Sequence, residues 1–185
     1  MCWSSVSHSP AIQVRFDAAH ALRCAAAVDA YDGRMKDIIH ALKYDRRRSI
    51  SPRLGALMRE RGARVLDGAD CVVPVPLHAR REYQRGFNQA HDLALHLGVP
   101  VAALLTRVVH TPSQIDLPKH QRALNVRDAF AWDPGSRIPD PGIVVLIDDV
   151  ATTGATLESC ANVLRRHGVR EVRALTAARV ENTSR

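Results

Sequence analysis

Hydrophobic positions recur along this chain with two different periods, and each change of period marks an element. Between Tyr31 and Tyr44 the apolar residues Tyr31, Met35, Ile38, Ile39 and Leu42 fall at i, i+4, i+7, i+8 and i+11. That spacing is one face of a helix, begun at Asp32 and Gly33. A second helical pattern runs from Pro52 to Val65 with Leu54, Leu57 and Met58 inward, and Gly68 closes the turn behind it. Proline is tolerated in a first helical turn. The period then shortens: Cys71-Val72-Val73-Pro74-Val75-Pro76 is a β-branched run stopped by prolines, the pattern of a buried strand reaching a loop. Ala90, Leu93, Ala94 and Leu97 restore helical spacing up to Gly98, and Ala103 to Val109 reads as a second strand.

The polar stretch from His110 to Gln121 predicts a long loop leading into a short helical turn. Loops of that length in compact domains usually carry a function. Ile143-Val144-Val145-Leu146-Ile147 is the strongest strand, an apolar run without alternation, as in a parallel strand covered on both faces. A helix follows from about Ala155 to His167 with Leu157, Cys160, Ala161 and Leu164 inward and Gly168 as its stop; Val172 to Ala178 supplies another strand. Strand, helix, strand, helix, strand in this order predicts right-handed βαβ units: an α/β fold with a central parallel sheet flanked by helices. The first 25 or so residues carry no legible period, and Asp133 to Gly142 reads as a turn-rich connector. The chain therefore divides into an N-terminal extension over residues 1–27 and one domain over residues 28–185.

Composition narrows the class. At 185 residues the chain allows one domain with a sizeable core. Its 46% hydrophobic and 24% charged residues exclude a disordered, collagen-like or disulfide-scaffold protein. The longest apolar stretch, Ala18 to Val28, is broken by His20 and Arg23 and falls short of the roughly 20 residues that span a bilayer. Met1 to Pro10 show no basic start followed by an apolar run, so a cytoplasmic location is expected. Cysteines at 2, 24, 71 and 160 form no Cys-x-x-Cys pair, and His91 and His96 stand five apart. Reduced thiols and no metal site of the protein's own are expected.

Charge adds a direction. Lys and Arg number 26 against 19 Asp and Glu, a formal charge of +7, and 23 of the 26 are Arg. Three clusters suit phosphate: Lys43 with Arg46, Arg47 and Arg48; Arg80, Arg81 and Arg85; Arg165 and Arg166. Lys43 and its neighbours read first as a solvated helix end that complements the helix dipole, and second as a nucleic-acid patch. With 4% aromatic residues, a stacking platform for single strands is not supported, which leaves a groove that tracks a phosphate backbone.

The sharpest constellation is Val144-Val145-Leu146-Ile147-Asp148-Asp149-Val150-Ala151-Thr152-Thr153-Gly154-Ala155-Thr156. A buried strand runs into two adjacent carboxylates, then turns through a hydroxyl- and glycine-containing loop into a helix. Thr152, Thr153, Gly154, Ala155 and Thr156 offer backbone N–H groups, hydroxyls and a helix N-terminus, the parts of a phosphate nest. Asp148 and Asp149 can accept from the vicinal hydroxyls of a ribose, at the strand end where open α/β sheets place ligands. A ribose 5-phosphate fits the arrangement.

This segment resembles the phosphoribosyl-pyrophosphate (PRPP) signature of the type I phosphoribosyltransferases. The resemblance implies that fold, with Asp148 and Asp149 as the catalytic pair on the ribose hydroxyls and Thr152 to Thr156 on the 5-phosphate. It implies a pyrophosphate loop at Val75, Pro76, Leu77 and His78 with Arg81 and Arg85 behind, and Mg2+ bound with PRPP. Tyr31-Asp32-Gly33, Ile38-Ile39-His40-Ala41-Leu42-Lys43-Tyr44 and Arg85-Gly86-Phe87-Asn88-Gln89-Ala90 resemble the ComF family of competence-associated proteins. So does the loop with Thr111, Gln114 and Arg122, which that resemblance makes a flexible lid. From it follow a phosphoribosyltransferase with an unidentified acceptor, or alternatively a non-catalytic PRPP sensor or single-stranded-DNA-binding protein, with DNA-processing partners. Two departures stand out. Of that family's N-terminal four-cysteine zinc module only Cys2 and Cys24 could remain, and Thr152 replaces the carboxylate that assists the base in purine-salvage enzymes.

Overall fold

The computed structural model of the protein describes residues 11–45, 47–109, 129–137 and 142–180. In chain order these form β1 (Ile12–Arg15), β2 (Leu22–Ala30), α1 (Gly33–Tyr44), a 3-10 turn (Arg48–Ile50), α2 (Ser51–Arg61), α3 (Ala63–Leu66), β3 (Cys71–Pro74), α4 (Ala79–Arg85), α5 (Gln89–Ala94), β4 (Leu105–Arg107), β5 (Phe130–Trp132), β6 (Ile143–Ala151), α6 (Ala155–Arg166) and β7 (Glu171–Arg179). Five strands make one sheet in the order β1-β2-β7-β6-β3. β2, β7, β6 and β3 run parallel, and β1 pairs antiparallel with β2. The α/β sheet flanked by helices is the one the alternating pattern predicts.

β6 shows why its sequence lacks alternation. It lies between β7 and β3, with Val144 beside Val172 and Cys71, so both of its faces meet helices. Val145 and Ile147 pack with Ile39, Leu42, Leu54, Met58 and Leu93 of α1, α2 and α5. Val144 and Leu146 face the other way, onto Leu157, Cys160 and Leu164 of α6. Each such side chain fully removed from water contributes about 1.5–3 kcal/mol.

Several elements differ from the sequence pattern. The helix expected from Pro52 to Val65 is two, α2 and α3, parted at Gly62. That backbone packs so close to β7 that a Cβ would sit 2.5 Å from Leu175 Cδ2. The strand expected over Ala103 to Val109 shrinks to β4, which leaves the main sheet and pairs antiparallel with β5. Just before it, the chain touches the main sheet at Val101 beside Val72, with Ala102 N donating to Val72 O at 2.9 Å. The patternless N-terminal stretch contains β1 and β2, and residue 28 falls inside β2. β2 reads Leu-Arg-Cys-Ala-Ala-Ala-Val-Asp-Ala; a strand of alanines between two others has no amphipathic period to show. Among the described residues no helix is long and apolar enough to cross a membrane, and Cys24, Cys71 and Cys160 are free thiols.

Candidate functional site

Because β2, β7, β6 and β3 are parallel, their carboxyl ends share one edge of the sheet, where an α/β fold leaves a crevice. Asp148 and Asp149 stand near the end of β6, Val75 follows β3 and Tyr31 follows β2. A cavity of about 290 Å³ opens between them. Its wall includes Asp148, Asp149, Thr152, Gly154 and Thr156 from one loop, and Val75, Pro76, Leu77, Arg81 and Arg85 from the other. These residues, far apart in sequence, are brought to one place. His78, Thr153 and Ala155 stand off the wall: the His78 ring caps α4 by accepting from Arg80 N at 3.2 Å, and Thr153 borders a smaller apolar cavity toward β1 and β2. Thr111, Gln114 and Arg122, with the loop from His110 to Gln121, lie outside the described residues.

The acidic pair is asymmetric. Asp149 is 7% exposed, and its Oδ1 lies 2.8 Å from the ammonium of Lys43. Asp148 is partly exposed and accepts the Asp149 backbone N–H at 2.8 Å. Burial, and then the Asp149 charge beside it, push the Asp148 carboxyl up to about 7 against the pull of Lys43 and Arg107. Burial acts to lower the Lys43 pKa, yet the charge and hydrogen bond of Asp149 outweigh it and hold the ammonium above the usual lysine range. Lys43 is thus neither a solvated helix end nor part of a nucleic-acid patch. It turns inward from the last turn of α1 and ties that helix to β6.

Arg81, Arg85, Arg107 and Lys43 all face the cavity. Crowding shows in their titration: burial and then Arg85 lower the pKa of Arg81, and burial and then Arg81 lower that of Arg107. Side-by-side cations at a concave wall gain from a polyanion between them.

The loop between β3 and α5 is braced by its own side chains. α4 ends at Gly86 in the left-handed region, φ +81°, and Phe87 turns into the core. Asn88 Oδ1 accepts from Ala90 N at 2.9 Å as the cap of α5, while its Nδ2 donates to Val75 O at 3.1 Å. The buried Gln89 takes the Arg85 guanidinium on its Oε1 at 2.8 Å, and Arg85 also lies over the Tyr44 ring. Behind this loop Arg48 grips Asp92 of α5 at 2.7 and 2.9 Å.

The loop after β6 is built differently. Gly154, at φ +80°, precedes α6 and gives it no side-chain cap of its own, so the first-turn N–H groups beyond Ala155 are donors a phosphate takes. A residue with a Cβ would be strained at that φ although it would meet nothing within 4 Å. Thr153 Oγ1 accepts from Ala155 N at 3.3 Å.

Lys43, Tyr31, Tyr44, Arg107, Asn88 and Gln89 also border the cavity. The sequence names the segments holding Tyr31, Lys43, Tyr44, Asn88 and Gln89 but gives none of them a place at a site, and Arg107 has no sequence signal.

Comparison with known proteins adds the lineage. The family model described as the phosphoribosyl transferase domain matches residues 83–184, the part that carries β6, the acidic pair and the loop into α6. The chain is 34% identical over 157 residues to the DNA utilization protein YhgH of Salmonella typhimurium, covering 79% of this chain and 67% of that protein. It is 35% identical over 115 residues to competence protein F of Haemophilus influenzae, with 60% and 50% covered. To competence protein ComFC of Bacillus subtilis it is 38% identical over 97 residues, with 52% and 39% covered. The chain spans between 39% and 67% of the length of these curated relatives. Domain match, relatives and the ordered motifs from Tyr31 to Ala90 agree: the chain belongs to the ComF family of phosphoribosyltransferase-domain proteins.

Proposed function

We propose that the cavity binds PRPP as its magnesium complex and that the protein transfers the phosphoribosyl group to an acceptor, releasing pyrophosphate. The observation that carries this reading is the meeting of two carboxylates, a helix N-terminus behind Gly154 and four basic side chains in one cavity. The loop from Thr152 to Thr156 would take the 5-phosphate. Asp148 and Asp149 would accept the ribose hydroxyls. Arg81, Arg85 and Arg107 would face the diphosphate and stabilise it as it departs with the bonding electron pair. The anomeric carbon then resembles an oxocarbenium ion, and the acceptor's lone pair closes the new bond. No side-chain nucleophile is needed; positioning and electrostatics supply the catalysis.

The donor set suits an ion that arrives on the diphosphate. Two hard carboxylates reach the cavity, and among the described residues no group of three or more His, Cys, Asp or Glu could hold a metal. Mg2+ commonly keeps several waters and binds through one or two carboxylates plus substrate phosphates. Asp148 is the side chain that would contact it, and the bound ion would neutralise charge on the leaving group.

Calorimetric titration of PRPP with Mg2+ into the wild type, Asp148→Asn and Asp149→Asn tests the proposal. Saturable binding by the wild type and at least tenfold weaker binding by both variants are expected. A folded wild type that takes up no PRPP ends it. The names of the relatives and the +7 charge favour a second reading, PRPP sensing by a protein that holds single-stranded DNA. Retention on a single-stranded DNA column that falls steeply with salt would support it. No retention at low salt would remove it.

A further inference from the structure

The ammonium of Lys43 lies where an acidic pair would otherwise draw a metal ion. Its Nζ is 2.8 Å from Asp149 Oδ1, with the lysine side chain 18% and the aspartate side chain 10% exposed. Its charge also acts on Asp148. Lys43 comes from α1, upstream of the segment matched by the domain family, so that match gives it no role. Without it, Asp149 would carry an unpaired negative charge beside the Asp148 carboxyl, the two acidic groups of the cavity wall. Such a pair attracts divalent cations through the hard oxygens they prefer.

We propose that Lys43 is the resident counter-ion of the acidic pair: it keeps free divalent cations off Asp148 and Asp149, so that the metal enters the cavity with the diphosphate rather than ahead of it. The first half stands on the ion pair alone; the second rests on the PRPP reading above. A bare divalent ion would have to displace a partly buried ammonium from its carboxylate and leave that ammonium unpaired, which is costly away from bulk water. A diphosphate brings negative charge of its own. The ammonium then gains a second partner beside Arg81 and Arg85, and its hold on Asp149 can relax. Lys43 acts through Asp149 and is a positioning residue. If it merely anchored α1, its removal would cost stability and nothing else.

Manganese chloride without PRPP is the probe, followed by the electron paramagnetic resonance of free Mn2+ and by thermal melting. Four proteins are compared: the wild type, Lys43→Met, Lys43→Arg, and Lys43→Met combined with Asp149→Asn. Lys43→Met is expected to gain one Mn2+ site at least tenfold tighter than anything in the wild type, with a melting temperature that rises with Mn2+. Lys43→Arg keeps the cation and should behave as wild type, and the double variant should lose the gained site. A folded Lys43→Met that binds Mn2+ no better than wild type overturns the proposal. Tight Mn2+ binding by the wild type alone overturns it too, whether or not any variant folds. Should Lys43→Met gain the site while the wild type takes up no Mg-PRPP, the counter-ion role stands and only the PRPP reading falls.

Discussion

Two strand-to-helix loops border the cavity, and they are held by opposite means. The loop after β3 carries charge. Its helix α4 buries no residue, so its place depends on what grips its ends: Asn88 on Val75 O, Gln89 on Arg85, and the left-handed turn at Gly86. The loop after β6 carries dipoles. Its side-chain bonds are few, but α6 behind it seats Leu157, Cys160, Ala161 and Leu164 in the core. Like charges gathered at a wall repel and need bracing at each guanidinium. Backbone N–H groups keep their aim as long as the helix behind them is packed. Side-chain deletions should therefore damage the first loop, and backbone changes the second.

The largest effect is expected at the floor the loops share. Asp149→Asn leaves the Lys43 ammonium in the protein without its carboxylate, which should cost about 3 kcal/mol of stability and weaken PRPP binding by well over tenfold. Urea unfolding and calorimetry measure the two losses. The remaining margin should keep the protein folded at 25 °C, since domains usually hold ~5–15 kcal/mol.

Next comes the braced loop. Asn88→Ala removes the α5 cap and the tie to Val75 O, about 1 kcal/mol each. Its melting temperature should fall, and pyrophosphate affinity should fall with it. If pyrophosphate binds with unchanged affinity, side-chain bracing does not aim Arg81 and Arg85, and the contrast between the loops fails.

Gly154→Ala tests the other side. The methyl group meets no neighbour, so the cost is conformational, about 1–2 kcal/mol at a left-handed residue. Its mark should appear in binding of ribose 5-phosphate and leave pyrophosphate binding nearly untouched. Equal losses for both ligands would mean that the loops act as one body.

The last prediction concerns pH. Burial and the neighbouring Asp149 charge push the Asp148 carboxyl up to about 7, well above the usual carboxylate range. A raised carboxyl pKa favours the folded state while the group is protonated, and that contribution is lost as pH rises from about 4 through 7. Asp148→Asn removes the loss. It should melt higher than wild type at pH 8 and level with it below pH 4, each kcal/mol amounting to roughly 2–4 °C in a chain of this size. A variant that is stabler yet fails to bind PRPP would show stability given up for function. An equal melting temperature at pH 8 would mean that Asp148 is not strained by ionisation.

How much of this was legible in the chain follows from sequence distance. The segment from Val144 to Thr156 is contiguous, so strand, carboxylates and loop announce themselves together. Arg85 to Ala90 reads as a motif, but its work, one side chain clasping another loop, exists only in three dimensions. Lys43 is hidden for a physical reason. A lysine in the last turn of a helix already has a sufficient explanation in the helix dipole, and nothing local says that α1 aims it at β6. β2 is hidden by its alanines. β4 looked like a sheet strand because a short β-branched run reads the same whether it joins a parallel sheet or a hairpin beside it.

The place of β2 has a practical consequence. It covers one flank of β7 while β6 covers the other, and the pairing runs from Leu22 to Ala30. A version of the protein begun at residue 28 would keep the whole PRPP-like segment and still strip that flank bare. The exposed row would be β7, nine residues long and mostly buried in the intact fold, the kind of long apolar edge that recruits strands from other molecules. Such a fragment should aggregate, whereas one begun at Ala11 keeps β1, a four-residue outer strand ending in Arg15, short and charged enough to discourage company.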